Sequence, residues 1–263
     1  MGHPAEAATE RFERISAAPA YQLVAEAIER EIVTGRIRPG EHIGTEADLV
    51  KQFGVNRSTV REGIRCLEQS GLLRRESGRR LVASLPRQTK LATRMSRALV
   101  LHQVTFRELY EAIDMLERNA IELAVIHRTD DDLDAIADNV ARTGQAVDDP
   151  SRVAELDTEF HTLIARATGN RVLQLAREPA SLLIYPATQP IFEAVPEAAP
   201  RLFEAHSRLL DALRTRDAEA ARTWMRRHVA DFGKGFVRTG RSLDAPVEGT
   251  SFDSIFQTRD SSP

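Results

Sequence analysis

The chain of 263 residues carries a single cysteine, Cys66, so no intramolecular disulfide can form and the expected compartment is the reducing cytoplasm. It has no run of about 18 apolar residues, so no segment reads as a membrane span. Its first residues, MGHPAEAATERFERIS, lack the apolar stretch of a secretory leader. Net charge is only −3, so the whole chain does not present itself to a polyanion, and any basic patch has to be local. Familiar catalytic signatures are missing as well: there is no HExxH helix, no serine elbow and no Walker loop. Cys66 falls inside a helical stretch and reads as a small packing residue rather than a nucleophile. No internal repeat is found.

With 42% hydrophobic residues, there is enough apolar material for one large or two modest domains. The most organised stretch is TEADLVKQFGVNRSTVREGIRCLEQSG, Thr45 to Gly71. Thr45 suits an N-cap, with Asp48 three residues on as in a capping box. Ala47, Leu49, Val50 and Phe53 supply an apolar side, and Gly54 can end the helix. Asn56 caps a second helix in which Val60, Ile64 and Leu67 face inward. Arg57, Arg61 and Arg65 recur every fourth residue and line an outer stripe. Such a pair of helices can place the second one in a DNA major groove, although a solvated helix with three arginines has the same spacing.

Upstream, Tyr21, Val24, Ile28 and Ile32 share a helical face that ends at Gly35, and Arg36 to Gly44 reads as a turn-rich connector. Downstream, Leu72 to Ser84 reads as two short strands turning at Ser77-Gly78, a hairpin wing. From Arg74 to Arg107 nine Arg or Lys face one acid, Glu76, an asymmetry suited to phosphate contact. Pro86 marks a boundary. Beyond a helical linker at 87–105, the pattern is helical nearly throughout, over 106–128, 130–147, 151–168, 170–184, 198–214 and 217–237. The breaks include Pro186 and Pro190, and the short loops imply an antiparallel bundle. From Asp130 to Glu159 ten acids outnumber Arg142 and Arg152, so this half is not a nucleic-acid surface. Residues 1–18 and 239–263 read as unstructured from their polar composition. The domain plan is thus 19–86, linker 87–105, and 106–238.

Four side chains stand out in the second half. Asp157 and His161, four apart, point the same way and interleave with Val153, Phe160 and Ile164. His206 shares a stripe with Leu202, Leu209 and Leu213, and His228 lies between Trp224 and Phe232. Each histidine alone reads as a hydrogen-bonded core residue. Together, one carboxylate and three imidazoles on inward faces of three helices suit a divalent ion: zinc, nickel, cobalt or manganese. His127 is a reserve ligand.

The segment AIEREIVTGRIRPGEHIGTEADLVKQFGVNRSTVREGIRCLEQSGLLRRESG resembles the winged helix-turn-helix of the GntR family of bacterial transcription regulators. ELDTEFHTLIARATGN, EAHSRLLDAL and MRRHV are similar to the metal-containing FCD domain, which places the chain in the FadR subfamily; the resemblance covers about residues 21–237. It implies a mainly α protein, a winged helix-turn-helix with a small β-hairpin wing followed by an antiparallel all-α bundle. It implies that Arg57 and Arg61 contact operator bases and phosphates, within a DNA-facing set that also holds Thr45, Asn56, Ser58, Thr59 and Arg65. Gly78, with Ser77, would be the wing tip in the minor groove. Asp157, His161, His206 and His228 match the family's metal ligands, zinc first, with nickel or manganese as alternatives. The partners implied are a palindromic double-stranded operator, a second copy of the chain and a small-molecule effector, an organic acid or lipid-derived. The function implied is that of a repressor and not an enzyme; a metal-sensing regulator and a metalloenzyme with a DNA-binding appendage are the rivals. Two departures stand out. Ala47 and Ile113 occupy positions where the family often has arginine, so one operator contact and one effector contact must be made otherwise.

Overall fold

A computed structural model of the chain describes residues 18–76, 80–86 and 88–247. Contacts divide it into two compact units, Met1–Arg87 and Gln88–Pro263, each with its own core.

In the first unit, α1 (Ala20–Val33), β1 (His42–Gly44), α2 (Glu46–Phe53), α3 (Arg57–Ser70), β2 (Leu73–Arg75) and β3 (Leu81–Ala83) follow in order. Val24, Ile28 and Ile32 of α1 meet Val60, Ile64 and Leu67 of α3, with Leu49, Leu73 and Leu81 closing the core. The helical spacing expected from the sequence is therefore the packing face. Ala47 does not join it: it stands exposed, and only Leu49 of α2 is fully buried. The α1–α3 crossing is tight at Gly63, where a Cβ would lie 2.9 Å from the Tyr21 carbonyl oxygen and 3.1 Å from Val24. Gly54, at φ 65°, turns the chain out of α2 in the left-handed region that favours glycine. The two wing strands pair antiparallel, with Arg74 opposite Val82. The connector also contributes: β1 pairs with β3, giving a three-stranded sheet of order β1-β3-β2. The expected wing tip, Ser77 and Gly78, lies outside the described residues.

The second unit is helical: α4 (Gln88–Leu101), α5 (Phe106–His127), α6 (Asp130–Gln145), α7 (Pro150–Ala167), α8 (Arg171–Ala194), α9 (Ala198–Thr215) and α10 (Ala218–Arg238). Thr105 with Glu108 and Thr129 with Asp132 form complete capping boxes at α5 and α6. The core gathers Ile121, Ile136, Phe160, Ile164, Leu209, Leu213 and Met225. No helix of the described residues is long and apolar enough to cross a membrane.

Two elements differ from the local signals. Pro186 and Pro190 do not break the chain; α8 runs through Pro179, Pro186 and Pro190. An interior proline costs about 3 kcal/mol. Against it, Leu173, Leu182, Leu183, Ile191 and Phe192 of α8 are all buried, at about 1.5–3 kcal/mol each. Burial therefore outweighs the local penalty. Ser96 of α4 also donates a 2.8 Å hydrogen bond to the Pro179 carbonyl. The second difference is at the C-terminal end. Residues 239–247, polar in composition, lie along the start of α5. The Leu243 and Ala245 carbonyls accept from the Arg107 and Phe106 N–H groups at 2.7 and 3.2 Å. Those are first-turn donors with no partner inside their own helix. Leu243 and Val247 pack against the cluster around Phe106, and Asp244 pairs with Arg107 at 2.6 Å. Residues 1–17 and 248–263, also read as unstructured, lie outside the described residues.

Candidate metal centre and nucleic-acid interface

On the first unit, Asn56 caps α3 by accepting from Thr59 N at 2.8 Å and from the Ser58 hydroxyl at 2.6 Å. Thr45 caps α2, its hydroxyl accepting from Asp48 N at 3.3 Å and donating to Asp48 Oδ2 at 2.7 Å. The polar atoms of Thr45, Asn56 and Ser58 are thus engaged in holding helix ends, and Thr59 is half-buried. Arg57, Arg61 and Arg65 form the expected stripe, their side chains 69%, 68% and 65% exposed.

The stripe is not left free. Glu46, 14% exposed, has Arg75 Nη2 at 3.0 Å, Arg57 Nε at 3.5 Å and Arg61 Nε at 3.9 Å. Burial alone would raise the Glu46 carboxyl, but the guanidinium of Arg75, with Arg61 and Arg57, holds it below the usual range. Arg75 also reaches Glu68 at 2.8 Å, and Arg65 pairs with Glu62 at 2.6 Å. Arg74 and Arg107 have acidic partners too, Glu76 and Asp244. The linear count of basic residues from 74 to 107 therefore overstates the free charge, because carboxylates from other elements fold onto it.

In the second unit, α7 supplies Asp157 and His161, α9 supplies His206 and α10 supplies His228. One ligand atom from each lies within 4.8 Å of the others. His161 Nε2 is 2.9 Å from His228 Nε2. Asp157 Oδ1 is 3.3 Å from His206 Nε2 and 3.7 Å from the Nε2 atoms of His161 and His228. Donor atoms held about 2.1 Å from one ion lie about 3.0 Å apart at a right angle and about 3.4 Å apart at the tetrahedral angle. The observed spacings bracket those values.

The bonding supports the same fit. Asp157 Oδ1 and both ring nitrogens of His206 are buried without a hydrogen-bond partner. Burial pushes the Asp157 carboxyl up, but His206, His161 and His228 around it hold it well below the ordinary carboxylate range. Burial, then the neighbouring imidazoles, push His228 down to about 3, and burial lowers His206. One carboxylate oxygen facing three imidazole nitrogens is a ligand set in want of a cation, and its N3O composition suits the borderline divalent metals. His206 is fixed by stacking on Phe160, with centroids 3.6 Å apart. His127 is exposed at the end of α5 and outside this group, and His42 lies 3.5 Å from Glu76.

Behind the cluster stand two residues that the sequence reading had not singled out. Glu117 of α5, 1% exposed, accepts from Arg177 Nε of α8 at 2.5 Å and has His161 Nδ1 2.9 Å from its other oxygen. Burial would raise Glu117, but Arg177 and His161 outweigh it and bring it to about 2. For His161, burial lowers the ring and Glu117 more than restores it. A carboxylate beside the far nitrogen of a ligating imidazole orients the ring. The only signal for Glu117 was a charge set midway between Ile113 and Ile121 in an apolar stripe.

The cluster opens onto a cavity of about 890 Å³, mouth included. Asp157, His161 and His228 line it together with Glu117 and Arg177. Ile113 is on its wall as an apolar residue. Trp224, the single tryptophan, lines an adjoining cleft that shares Arg201 and His228 with the cavity.

Comparison with known proteins agrees with both halves. Residues 20–82 match the bacterial regulatory proteins of the gntR family, and residues 108–231 match the FCD domain. The chain is 27% identical to the HTH-type transcriptional regulator LutR of Bacillus subtilis (strain 168) over 204 residues, 76% of this chain and 93% of LutR. It is 24% identical to the HTH-type transcriptional repressor NanR of Escherichia coli (strain K12), over 79% of this chain and 81% of NanR. The solved structure of a GntR protein from Streptococcus agalactiae superposes with a TM-score of 0.57 at 23% identity, covering 84% of this chain and all of that one, and shares the fold.

Proposed function

The chain belongs to the gntR family of bacterial regulatory proteins, a DNA-binding regulator with an FCD domain and not an enzyme, and on that premise we propose that it is a cytoplasmic, homodimeric repressor released from a palindromic operator by a small organic or lipid-derived acid. The observation that carries the effector part is that the Asp157, His161 and His228 side chains form one wall of the cavity. A regulator whose ligand set lines an open-mouthed cavity has somewhere for an effector oxygen to go.

At the DNA end, Arg57 can take a guanine edge through two hydrogen bonds, worth about 1–3 kcal/mol of discrimination. Arg61 and Arg65, one and two turns on, follow the same groove, and the wing with the Arg74–Arg80 cluster adds phosphate contacts whose strength falls with salt. A two-fold dimer implies matched half-sites. Repression, rather than activation, is the sign carried in the name of the similar NanR.

At the regulatory end, Asp157, His161, His206 and His228 would hold a divalent ion, zinc first. When bound, it supplies a Lewis-acid position for an effector oxygen. Glu117 orients His161, and Phe160 orients His206. The effector acts only through its unequal affinity for the DNA-competent and DNA-released arrangements of the dimer.

Arg61→Ala is expected to abolish the mobility shift of a duplex selected from random DNA by the wild-type chain, while dimer and metal content stay unchanged. An unchanged shift sinks the recognition-helix assignment. A His161→Ala, His206→Ala double variant is expected to lose bound metal in elemental analysis, and stoichiometric retention sinks the metal centre. A second reading, that the metal itself is the signal, is favoured by the completeness of the ligand set: four donors need no effector to satisfy an ion.

A further inference from the structure

Most arginines of the helical unit are neutralised on its surface. Arg142, Arg152, Arg166, Arg222 and Arg238 each have a carboxylate within 3.3 Å. Three on α9 and α10 are not: Arg208, Arg226 and Arg227 have no acidic partner among the described residues. These three gather at the cleft beside the metal cavity. Arg226 and Arg227 line it together with Arg201 and Lys234. Arg227 and Arg208 lie over the ring of Trp224, 5.1 and 5.7 Å from its centroid. At that distance the ring face attracts a guanidinium without using up its N–H donors. Trp224 is itself anchored, because it packs against the main core of the unit. The ring thus holds Arg227 at the cleft wall with its hydrogen-bonding groups unspent.

Charge and shape describe what such a wall accepts. Its four cations, Arg201, Arg226, Arg227 and Lys234, face two acids, Glu204 and Asp231. Asp231 is shared between Arg201, at 3.7 Å, and Lys234, at 3.5 Å. The excess is two positive charges, and three with Arg208 over Trp224. A phosphoryl group carries a charge of about −1.5 to −2 at neutral pH and three acceptor oxygens. Arginine forks match those oxygens with paired hydrogen bonds. The cleft measures about 830 Å³, open mouth included, which leaves room for the body of a small metabolite behind such a head. A nucleic-acid backbone fits it less well, since Glu204 and Asp231 on the same wall would face the neighbouring phosphates.

We propose that the cleft between α9 and α10 is a second small-molecule site, separate from the metal cavity, that takes a phosphoryl dianion, as a phosphate ester or as free phosphate. Arg226 and Arg227 hold the phosphoryl oxygens, and Trp224 is the platform that keeps Arg227 in place. The site stands whether or not the metal cavity is the effector pocket.

Trp224 is the single tryptophan of the chain, so its fluorescence reports on the cleft directly. The full chain is titrated with glucose 6-phosphate and, separately, with inorganic phosphate, at an ionic strength held constant with chloride. Glutarate serves as a dianion without phosphorus. A saturable change with one site per chain is expected for at least one of the two phosphates, and the stronger of them tells ester from free ion. Calorimetry follows the variants, because a substitution beside Trp224 alters its emission by itself. Arg226→Ala and Arg227→Ala are each expected to weaken binding about tenfold, the loss of a charge-assisted hydrogen bond. Both side chains are exposed, so the fold is not at stake. Arg171→Ala, at an exposed arginine outside the cleft, is expected to bind like wild type. Absence of a saturable change with either phosphate, or an equal response to glutarate, overturns the inference. So does phosphate binding that Arg226→Ala and Arg227→Ala leave intact, which would place the anion elsewhere, on the metal included. If neither phosphate binds and the two substitutions instead weaken binding to a random duplex, the face is a DNA contact and the inference is wrong.

Discussion

Replacing Glu117 by glutamine tests how much the buried pair behind the metal cluster holds. The side chains of Glu117 and Arg177 are 1% and 6% exposed, so the abandoned guanidinium keeps only the water that reaches it through the cavity. Breaking one partner of such a pair costs about 3–5 kcal/mol. For a helical unit of this size each kcal/mol moves the melting temperature by about 2–4 °C, so a fall of roughly 6–20 °C is expected. A second loss should appear only in the presence of metal. Glu117 also lies 2.9 Å from His161 Nδ1, and removing such an orienting partner typically weakens metal binding 10–100-fold. That reduces the stabilisation by saturating metal by about 1.4–2.7 kcal/mol. The assay is urea unfolding followed by helical circular dichroism, run with zinc and again with a chelator. Glu117→Gln should lower the midpoint in both series, and by more with zinc. An unchanged midpoint in both would refute the ion-pair argument. An equal loss in both would leave Glu117 a support of the fold with no part in the metal site.

Glu46→Gln releases Arg57, Arg61 and Arg75 from their shared carboxylate. Binding to random-sequence DNA should tighten and its preference for the selected duplex should shrink, read by fluorescence anisotropy; an unaltered specificity ratio would mean that Glu46 does not position the stripe. Gly63→Ala drives a methyl to 2.9 Å from the Tyr21 carbonyl, and overpacking of this kind typically costs about 1–3 kcal/mol. The first unit should melt earlier while the second is unaffected, and equal melting would show that α1 and α3 can part freely. Leu243→Asp places a charge in the cluster around Phe106 and should raise amide exchange at the first turn of α5; unchanged exchange would show that residues 239–247 do not protect it.

Much of this was legible in the sequence where local rules and tertiary packing agree. Thr45 with Asp48 announces a helix start, and the observed cap of α2 is that residue. The four metal-ligand candidates were legible because each interrupts an apolar stripe with a donor, and packing three stripes together brings the donors together. Where the two levels disagree, packing decides. Pro186 and Pro190 should have ended α8, but its buried face carries it through. Residues 239–247 have the composition of a loose tail, yet their carbonyls meet otherwise unpartnered N–H groups of α5. Glu46 and Arg75 are 29 residues apart, and no periodicity relates them. Arg177 was equally hidden, since nothing local shows that an arginine of α8 faces Glu117 of α5.

The central claim is that the metal serves the effector site and is not itself the signal. The affinity of the full chain for its selected duplex, measured by anisotropy against buffered free zinc and without effector, tests it most directly. The account predicts a nearly flat response, with release appearing only when a carboxylate effector is added to the zinc-loaded protein. An affinity that rises or falls steeply with free zinc alone would contradict it and make the chain a metal sensor.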